Sequence, residues 1–194
     1  MFRRSTLLRT ALSTLMILGV ARINVLPEAY AQNGTVQTMT FDVSTDATTF
    51  VLNHVNPADS SFQRGDTFIV EGPIYPGGTI PMGGTATSPS PFNPDQPGAI
   101  GKWVCRGTFH LNAAQIGAGG SPFVYSTQYF LFNDGTTLVS EGPEGGATFL
   151  RAVIGGWNDG SGASGQHFEI PLGTNRTGLF NLRFQFQLKK QAPK

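Results

Sequence analysis

The glycines of residues 160–165 come closest to a known chemical motif in this sequence. The run Gly-Ser-Gly-Ala-Ser-Gly matches the glycine spacing of dinucleotide-binding loops, which place a pyrophosphate at a helix N-terminus. The residues that follow, Gln166 to Leu172, alternate as in a strand, and no acidic residue stands about 20 positions further on to bind a ribose. The serines also lack the spacing of a nucleophile elbow. We interpret the run as a turn and expect no nucleotide cofactor.

Cysteine and histidine, the usual nucleophile and metal ligands, are scarce. Cys105 is the only cysteine, so an internal disulfide is excluded, and it shares one face of an alternating segment with Trp103 and Phe109. This pattern predicts a buried thiol with a structural role rather than a nucleophile. The three histidines never fall at metal-ligand spacing, so no zinc site is expected.

The N-terminal 31 residues have the composition of an export signal. Three arginines precede an apolar run from Ala11 to Val20, and Ala29-Tyr30-Ala31 offers the small-x-small pattern of a cleavage site. The run is shorter than the roughly 20 apolar residues that span a bilayer. We predict a signal peptide over 1–31 and a secreted or periplasmic mature protein without a membrane partner. Export by the general or by the twin-arginine route stays open.

Charge argues against nucleic acid as a partner. The chain has 13 Lys+Arg against 12 Asp+Glu, and removal of the signal peptide takes away four of the arginines. Binding of a phosphate backbone needs a clustered basic face, and apart from the C-terminal lysines the remaining basic residues are scattered.

Alternation of apolar and polar residues predicts an all-β domain over residues 32–194. Charged residues make up only 13% of the chain, whereas glycine, proline and phenylalanine are abundant, which disfavours helices. Strands are predicted over 36–43, 48–54, 67–75, 102–112, 123–132, 136–141, 148–154, 166–172 and 180–188. Short turn-rich connections with no intervening helix indicate an antiparallel meander that closes into a barrel of about eight strands or stacks as a sandwich.

One segment interrupts this spacing. Residues 76–101 carry six prolines and six glycines, so they cannot form a central strand. We predict a long loop or flap there, with a short edge strand near Met82, and we expect it to serve as a lid beside a barrel mouth.

The ordered series of short motifs resembles the allene oxide cyclase and dirigent barrel superfamily, with the closest likeness to exported bacterial members. The resemblance covers about residues 36–189. The pieces that carry it are Arg64-Gly65-Asp66-Thr67-Phe68, Glu71-Gly72-Pro73-Ile74-Tyr75, Cys105-Arg106-Gly107-Thr108-Phe109, Leu138-Val139-Ser140-Glu141-Gly142-Pro143, and Arg151-Ala152-Val153-Ile154-Gly155-Gly156 followed by Gly162-Ala163-Ser164-Gly165.

The resemblance implies an eight-stranded antiparallel barrel, often trimeric, that binds a hydrophobic small molecule in its lumen without a metal or organic cofactor. Family members keep an acidic residue on the first strand facing the lumen, at the place of Asp42, and dirigent proteins have another acid where Asp66 stands. With Glu141, these are the candidate catalytic residues. Alternation alone does not show whether Asp42 faces the lumen or the outside. Asp66 also fits a turn that leads into the strand at 67–75. The dirigent arginine after the double glycine and the cyclase lumen cysteine have no counterpart here.

Two functions remain open at this stage. In one, the exported barrel binds a hydrophobic molecule and guides its cyclisation or stereoselective coupling, as an isomerase or dirigent-type guide that works by orientation and exclusion of water. In the other, it is a non-catalytic carrier or structural barrel. In both cases we expect a homo-oligomer, a trimer by resemblance, because both faces of the strand at 123–132 carry large apolar residues.

Overall fold

The structure, a computed structural model, describes residues 36–189. The predicted signal peptide and its cleavage site lie outside these residues. The strands are β1 (Val36–Ser44), β2 (Asp46–Asn53), β3 (Thr67–Pro76), β4 (Gly101–Phe109), β5 (Val124–Phe132), β6 (Thr137–Glu144), β7 (Phe149–Trp157), β8 (Gly165–Thr174) and β9 (Phe180–Lys189). Each begins and ends within a few residues of the prediction, because alternating apolar residues bounded by glycine-rich turns leave little freedom in where a strand can lie.

Eight strands form a closed antiparallel barrel. The order along the sheet is β1-β9-β8-β7-β6-β5-β4-β3-β2, and the last residues of β1 also pair with β3, with Val43 opposite Ile74. This pairing closes the ring and removes the free edges of an open sheet. The additional strand β2 continues the course of β1 along β3, from Asp46 opposite Glu71 to Asn53 opposite Thr67. Gly72 of β3 lies opposite the bend between β1 and β2. A side chain at this position would collide with the Ser44 carbonyl. The predicted closed all-β barrel is confirmed.

Helical structure is minor. A five-residue helix, α1 (Ala113–Gly117), connects β4 and β5 and is capped by Asn112, whose side chain accepts a hydrogen bond from the Gln115 amide. A short 3-10 turn, Asn158–Gly160, follows β7. Within residues 36–189 no helix is long and apolar enough to cross a membrane. After the 160–165 glycine run the chain enters β8, so a strand stands where a dinucleotide site would need a helix.

Large aromatic side chains fill much of the lumen. In β9, Leu182, Phe184 and Phe186 point inward, and Arg183 and Gln185 point outward, as the alternation predicted. Phe130 of β5 packs edge-on against Phe184 and Phe186, each at 5.0 Å between ring centres. Such contacts between rings add to the apolar area they bury, so the barrel has a packed interior rather than a pore.

The segment between Pro76 and Gly101 corrects two expectations. It contains no strand, so the predicted edge strand near Met82 is wrong. It also lies against the outer wall, where Gly83 donates to the Leu172 carbonyl and Ser90 donates to the Thr174 carbonyl, both at 2.7 Å. Buried Ile80 and Leu172 form a small apolar cluster beneath it. The glycines and prolines thus build a strap along the wall rather than a lid over the mouth.

Candidate functional site

A cluster of charged and polar side chains lies inside the barrel, below its aromatic filling. Its members are Ser126 and Gln128 of β5, Ser140 and Glu144 of β6, Arg151 of β7, and His167 and Glu169 of β8. Strand alternation turns all seven inward, and the register pairs Gln128 with Ser140 and Arg151 with His167. Four adjacent strands therefore bring together groups that are far apart in the sequence.

Arg151 is the centre of this cluster and is about 1% exposed. Its Nη1 donates to the carbonyls of Gly142 and Pro143 at 3.0 and 2.9 Å, and its Nη2 donates to the backbone oxygen and Oγ of Ser126 at 2.9 and 2.8 Å. Gly142 makes room for it, because a side chain at that position would press against Arg151. These bonds satisfy Nη1 and Nη2, whereas Nε has no hydrogen-bond partner among the described residues, so the buried guanidinium also depends on nearby opposite charge.

Two carboxylates supply the opposite charge. Arg151 Nη1 lies 3.3 Å from Glu144 Oε1, and its Nε lies 3.7 Å from Glu169 Oε2. Gln128 Nε2 donates to both carboxylates at 2.7 Å, and Ser126 Oγ donates to Glu144. Two carboxylates thus converge on one arginine and one amide, an arrangement that favours retention of a single proton between them.

Burial first, and then the neighbouring Glu144 carboxylate, raise the pKa of Glu169 to about 8, although Arg151 opposes the shift. Glu169 is therefore a carboxylic acid at neutral pH. A group of this kind can donate a proton to a bound molecule and take one back, which is the requirement for general acid–base catalysis near pH 7.

His167 is buried above the two carboxylates. Its Nε2 lies 2.8 Å from Ser140 Oγ, and its ring stacks on Phe186 at 4.6 Å. Burial and then the positive charge of Arg151 lower the pKa of His167 to about 3. The ring is therefore neutral at physiological pH, and its role is to hydrogen-bond and pack rather than to carry charge.

Cys105 has the structural role that its pattern predicted. It is fully buried, and its Sγ donates to Glu144 Oε1 at 3.2 Å. Burial, with a further contribution from the Glu144 carboxylate, raises the pKa of the thiol well above its ordinary value. A thiol of this kind is a poor nucleophile.

A cavity of about 760 Å³ opens at the end of the barrel where β9 and β5 finish. Its apolar lining includes Met39, Phe41, Phe132, Leu138 and Leu188, and its rim carries polar groups from the loops after β5 and β7. Its size suits one small ligand, and an apolar interior with a polar rim is typical of ligand pockets.

An aromatic layer separates this cavity from the charged cluster. Phe130 is paired across the strands with the cavity-lining Leu138, and its ring lies 5.8 Å from that of His167. Phe186 occupies a similar position, between Phe41 at 5.8 Å and His167. A ligand in the cavity therefore reaches the charged cluster only if the rings of Phe130 and Phe186 turn aside.

No family profile matches the sequence, and no curated protein sequence matches it significantly. Solved structures do. The chain superposes on a pterocarpan synthase dirigent protein with a TM-score of 0.54 and 13% identity, over 90% of this chain and 99% of the other. The chain has a dirigent-type barrel fold. A pyocyanin demethylase also superposes, with a TM-score of 0.51 and 14% identity, over 79% of this chain and 100% of the other. The resemblance stated from the sequence is thus confirmed for the fold, and at these identities the likeness does not extend to activity.

Asp42 lies on the outer wall of this dirigent-type barrel, since it alternates with the inward-facing Phe41 and Val43. It is fully buried beneath the strap, where its carboxylate pairs with Arg183 at 2.7 Å and accepts hydrogen bonds from the amides of Gly78 and Ile80 at 2.9 Å. The face that alternation left open is the outer one, and the residue fastens the strap to the barrel.

Asp66 and Glu141 also lie apart from the lumen cluster. Asp66 is a buried turn residue before β3 that accepts from the amides of Val55 and Gln63 and lies 2.8 Å from His54 Nδ1. Glu141 is exposed on the outer face of β6, where Thr127 Oγ1 donates to it at 3.2 Å. The structure does not bring the three predicted residues together, so a shared catalytic role for them has no geometric support.

The acids that do meet in the lumen of the dirigent-type barrel were missed from the sequence. Glu144 lies between the predicted strands 136–141 and 148–154, and Glu169 alternates with the more hydrophobic Phe168 and Ile170. The local pattern gives no signal for them, because Arg151 alternates with Leu150 and Ala152 and alternation places the charged residue on the outer face.

Proposed function

We propose that this barrel binds an apolar small molecule in its mouth cavity and, when the rings of Phe130 and Phe186 turn aside, exchanges a proton with it through the Glu144–Glu169 pair, thereby guiding a cyclisation or stereoselective coupling. The observation that carries the proposal is geometric: the Glu144 and Glu169 carboxylates share Gln128 Nε2 at 2.7 Å and lie beside the buried Arg151 inside the barrel, and burial raises the pKa of Glu169. Perturbed carboxyl groups of this kind are concentrated at functional sites.

The surrounding residues have separable parts in the proposed reaction. The cavity orients the ligand and excludes water, which strengthens electrostatic interactions within the lumen. Gln128 and Arg151 hold the two carboxylates in place, so that a proton leaving Glu169 gives an anion that is already paired. The same carboxylate then takes a proton from the rearranged ligand, and the site returns to its starting state without net consumption of protons.

A second candidate is the non-catalytic carrier or structural barrel. The aromatic layer of Phe130 and Phe186 favours it, because these side chains lie between the cavity and the charged cluster. In that case the cavity binds a ligand, and the charged cluster only shapes the interior of the barrel.

The proposal also includes export of the protein and its assembly into a homo-oligomer. The sequence of residues 1–31 supports export, and Leu150 and Ile154 on the outer face of β7 support self-association, because their side chains are 38% and 53% exposed. The outer wall of β7 and β8 is thus the proposed contact between subunits.

The test is a thermal-shift screen of fatty-acid oxidation products, phenylpropanoids and polyketides, followed by product analysis. The wild type is expected to be stabilised by a ligand and to convert it, whereas Glu169→Gln keeps the stabilisation and loses the conversion. Glu71→Gln is the matched control, since Glu71 is a carboxylate on the outer wall paired with Lys102. Stabilisation without conversion by the wild type would favour the carrier, and no stabilisation by any compound would refute binding.

A further inference from the structure

The outer wall of the barrel carries a second concave site, which is lined mainly by polar side chains, unlike the apolar cavity at the barrel mouth. It is a groove of about 700 Å³ that crosses β3, β4, β5 and β6. The paired backbone of Gly107, Ser126 and Gly142 forms its floor. The Ser126 side chain points into the lumen, and the two glycines have no side chain to fill the groove. Two rows of outward-facing side chains border this floor.

The two rows are rich in hydrogen-bonding groups. One row contains Thr67, Thr108 and Tyr125, and the other contains Arg106, Thr127 and Glu141. The cross-strand pairing places the members of each row side by side. Three strand spacings give the groove a length of about 14 Å, which is that of a short oligosaccharide.

Tyr125 provides an aromatic platform at this groove. Its side chain is 57% exposed, and His110 lies against it with 4.9 Å between ring centres. The axial C–H bonds of a pyranose ring carry partial positive charge and pack well on the negative face of such a ring.

The charged groups of the groove are held in place by their neighbours. The Arg106 guanidinium lies 5.3 Å from the centre of the Tyr129 ring, and Glu141 accepts a hydrogen bond from Thr127. The cation and the anion lie in the same row with Thr127 between them, so the local charges balance. This complementarity suits an uncharged ligand that both donates and accepts hydrogen bonds, rather than a phosphate or a polyanion.

We propose that this groove binds a neutral oligosaccharide, with one pyranose ring stacked on Tyr125 and its hydroxyl groups bonded to Arg106, Glu141 and the bordering threonines. The site is independent of the lumen, so it stands or falls separately from the proposed chemistry. Binding is expected to be weak for one ring and stronger for a chain that fills the groove, because each additional ring meets further polar side chains.

The experiment is isothermal titration of the full-length mature protein with cellohexaose and laminarihexaose as probes. We expect at least one of them to bind, and Tyr125→Ala and Arg106→Ala each to weaken that binding tenfold or more. Trp157→Ala is the matched control, because Trp157 is another exposed aromatic residue, 51% exposed on β7, and should leave the affinity unchanged.

Three outcomes would overturn the proposal. They are the absence of binding to both hexasaccharides, unchanged affinity in Tyr125→Ala, and an equal loss in Trp157→Ala. Sedimentation of the same variants distinguishes a contact between copies: if Tyr125→Ala lowers the mass of the assembly and leaves oligosaccharide binding intact, the groove is a subunit interface and the proposal fails. All substitutions lie on exposed side chains, so the barrel is expected to fold in each variant.

Discussion

Replacing Glu169 by Gln should flatten the pH dependence of the unfolding free energy between pH 6.5 and 8. Glu169 has a pKa of about 8 in the folded protein, against an ordinary value of 4.5. Between these values the folded state holds a proton that the unfolded state has lost. Stability from this group is therefore fully present below pH 4.5 and is lost as the pH rises through 8.

His167 acts in the opposite direction and sets the lower limit of the useful window. Its pKa is about 3 in the folded protein, against 6.5 ordinarily. The unfolded state takes up a proton at this residue below pH 6.5, so stability rises as the pH increases from 3 to 6.5. Above pH 6.5 the unfolded state loses the imidazole proton, and the raised pKa of Cys105 contributes only as the pH approaches 9, so Glu169 sets most of the dependence between pH 6.5 and 8.

The size of the effect follows from one proton. A difference of one bound proton changes the unfolding free energy by about 1.4 kcal/mol per pH unit, so the wild type should lose roughly 2 kcal/mol between pH 6.5 and 8. For a domain of this length that corresponds to a fall in Tm of about 4 to 8 °C. Glutamine keeps the shape and hydrogen-bonding capacity at 169 but cannot ionise, so the slope should vanish.

Urea unfolding at half-unit steps from pH 6.5 to 8.5 measures this slope directly. Glu144→Gln should leave a slope but move it to lower pH, because burial still raises the pKa of Glu169 once the neighbouring negative charge is removed. Glu71→Gln, on the outer wall, should retain the wild-type slope. A Glu169→Gln protein whose stability still falls by 2 kcal/mol over this range would refute the assignment of a protonated acid to the lumen.

Three further predictions concern other parts of the chain. Asp42→Asn should lower the unfolding free energy by about 3 kcal/mol, because it leaves Arg183 without its buried partner, and should speed proteolysis within residues 77–100, as measured by urea unfolding and limited digestion. Ile154→Asp should reduce the mass of the assembly in sedimentation, since a charge on the proposed β7–β8 contact opposes association; a monomeric wild type would contradict this. The exported protein should begin at Gln32, and an intact mass that includes residues 1–31 would show that the signal peptide is not cleaved.

The strands were predictable because each is a local pattern. Phe180 to Leu188 alternates so regularly that only one face can be buried, and the structure has that face in the lumen. The antiparallel meander followed from the short turn-rich connections between predicted strands, whereas closure into a barrel rather than a sandwich was implied by the family resemblance. The path of residues 76–101 was not predictable. Glycine and proline exclude a central strand, but they do not determine whether the loop covers the barrel mouth or the outer wall. Asp42 determines that path through bonds to amides some 36 and 38 positions away.

The charged cluster escaped prediction for a different reason. In β7 and β8 the more hydrophobic residues, such as Leu150, Ile154 and Phe168, face outward, whereas Arg151 and Glu169 face inward. Alternation alone assigns the apolar face to the interior, and here that rule gives the wrong face. Only the register of β6, β7 and β8 brings Glu144 to Arg151, and register is a tertiary property that one sequence does not display.

On β7 and β8 charged residues face the lumen and apolar residues face outward, and this arrangement helps to choose between the two candidate functions. A barrel whose interior served only stability could be filled by apolar side chains, since replacing a buried ion pair by well-packed hydrophobic residues is often neutral or stabilising. Here the lumen contains a buried arginine, two carboxylates and a glycine at 142 that leaves space for the arginine side chain. The more hydrophobic residues of these strands, Leu150, Ile154 and Phe168, face outward instead, where apolar surface in contact with water is unfavourable. The proposed proton chemistry inside the barrel and the proposed subunit contact outside it would each explain one face of these strands, whereas a purely structural barrel explains neither.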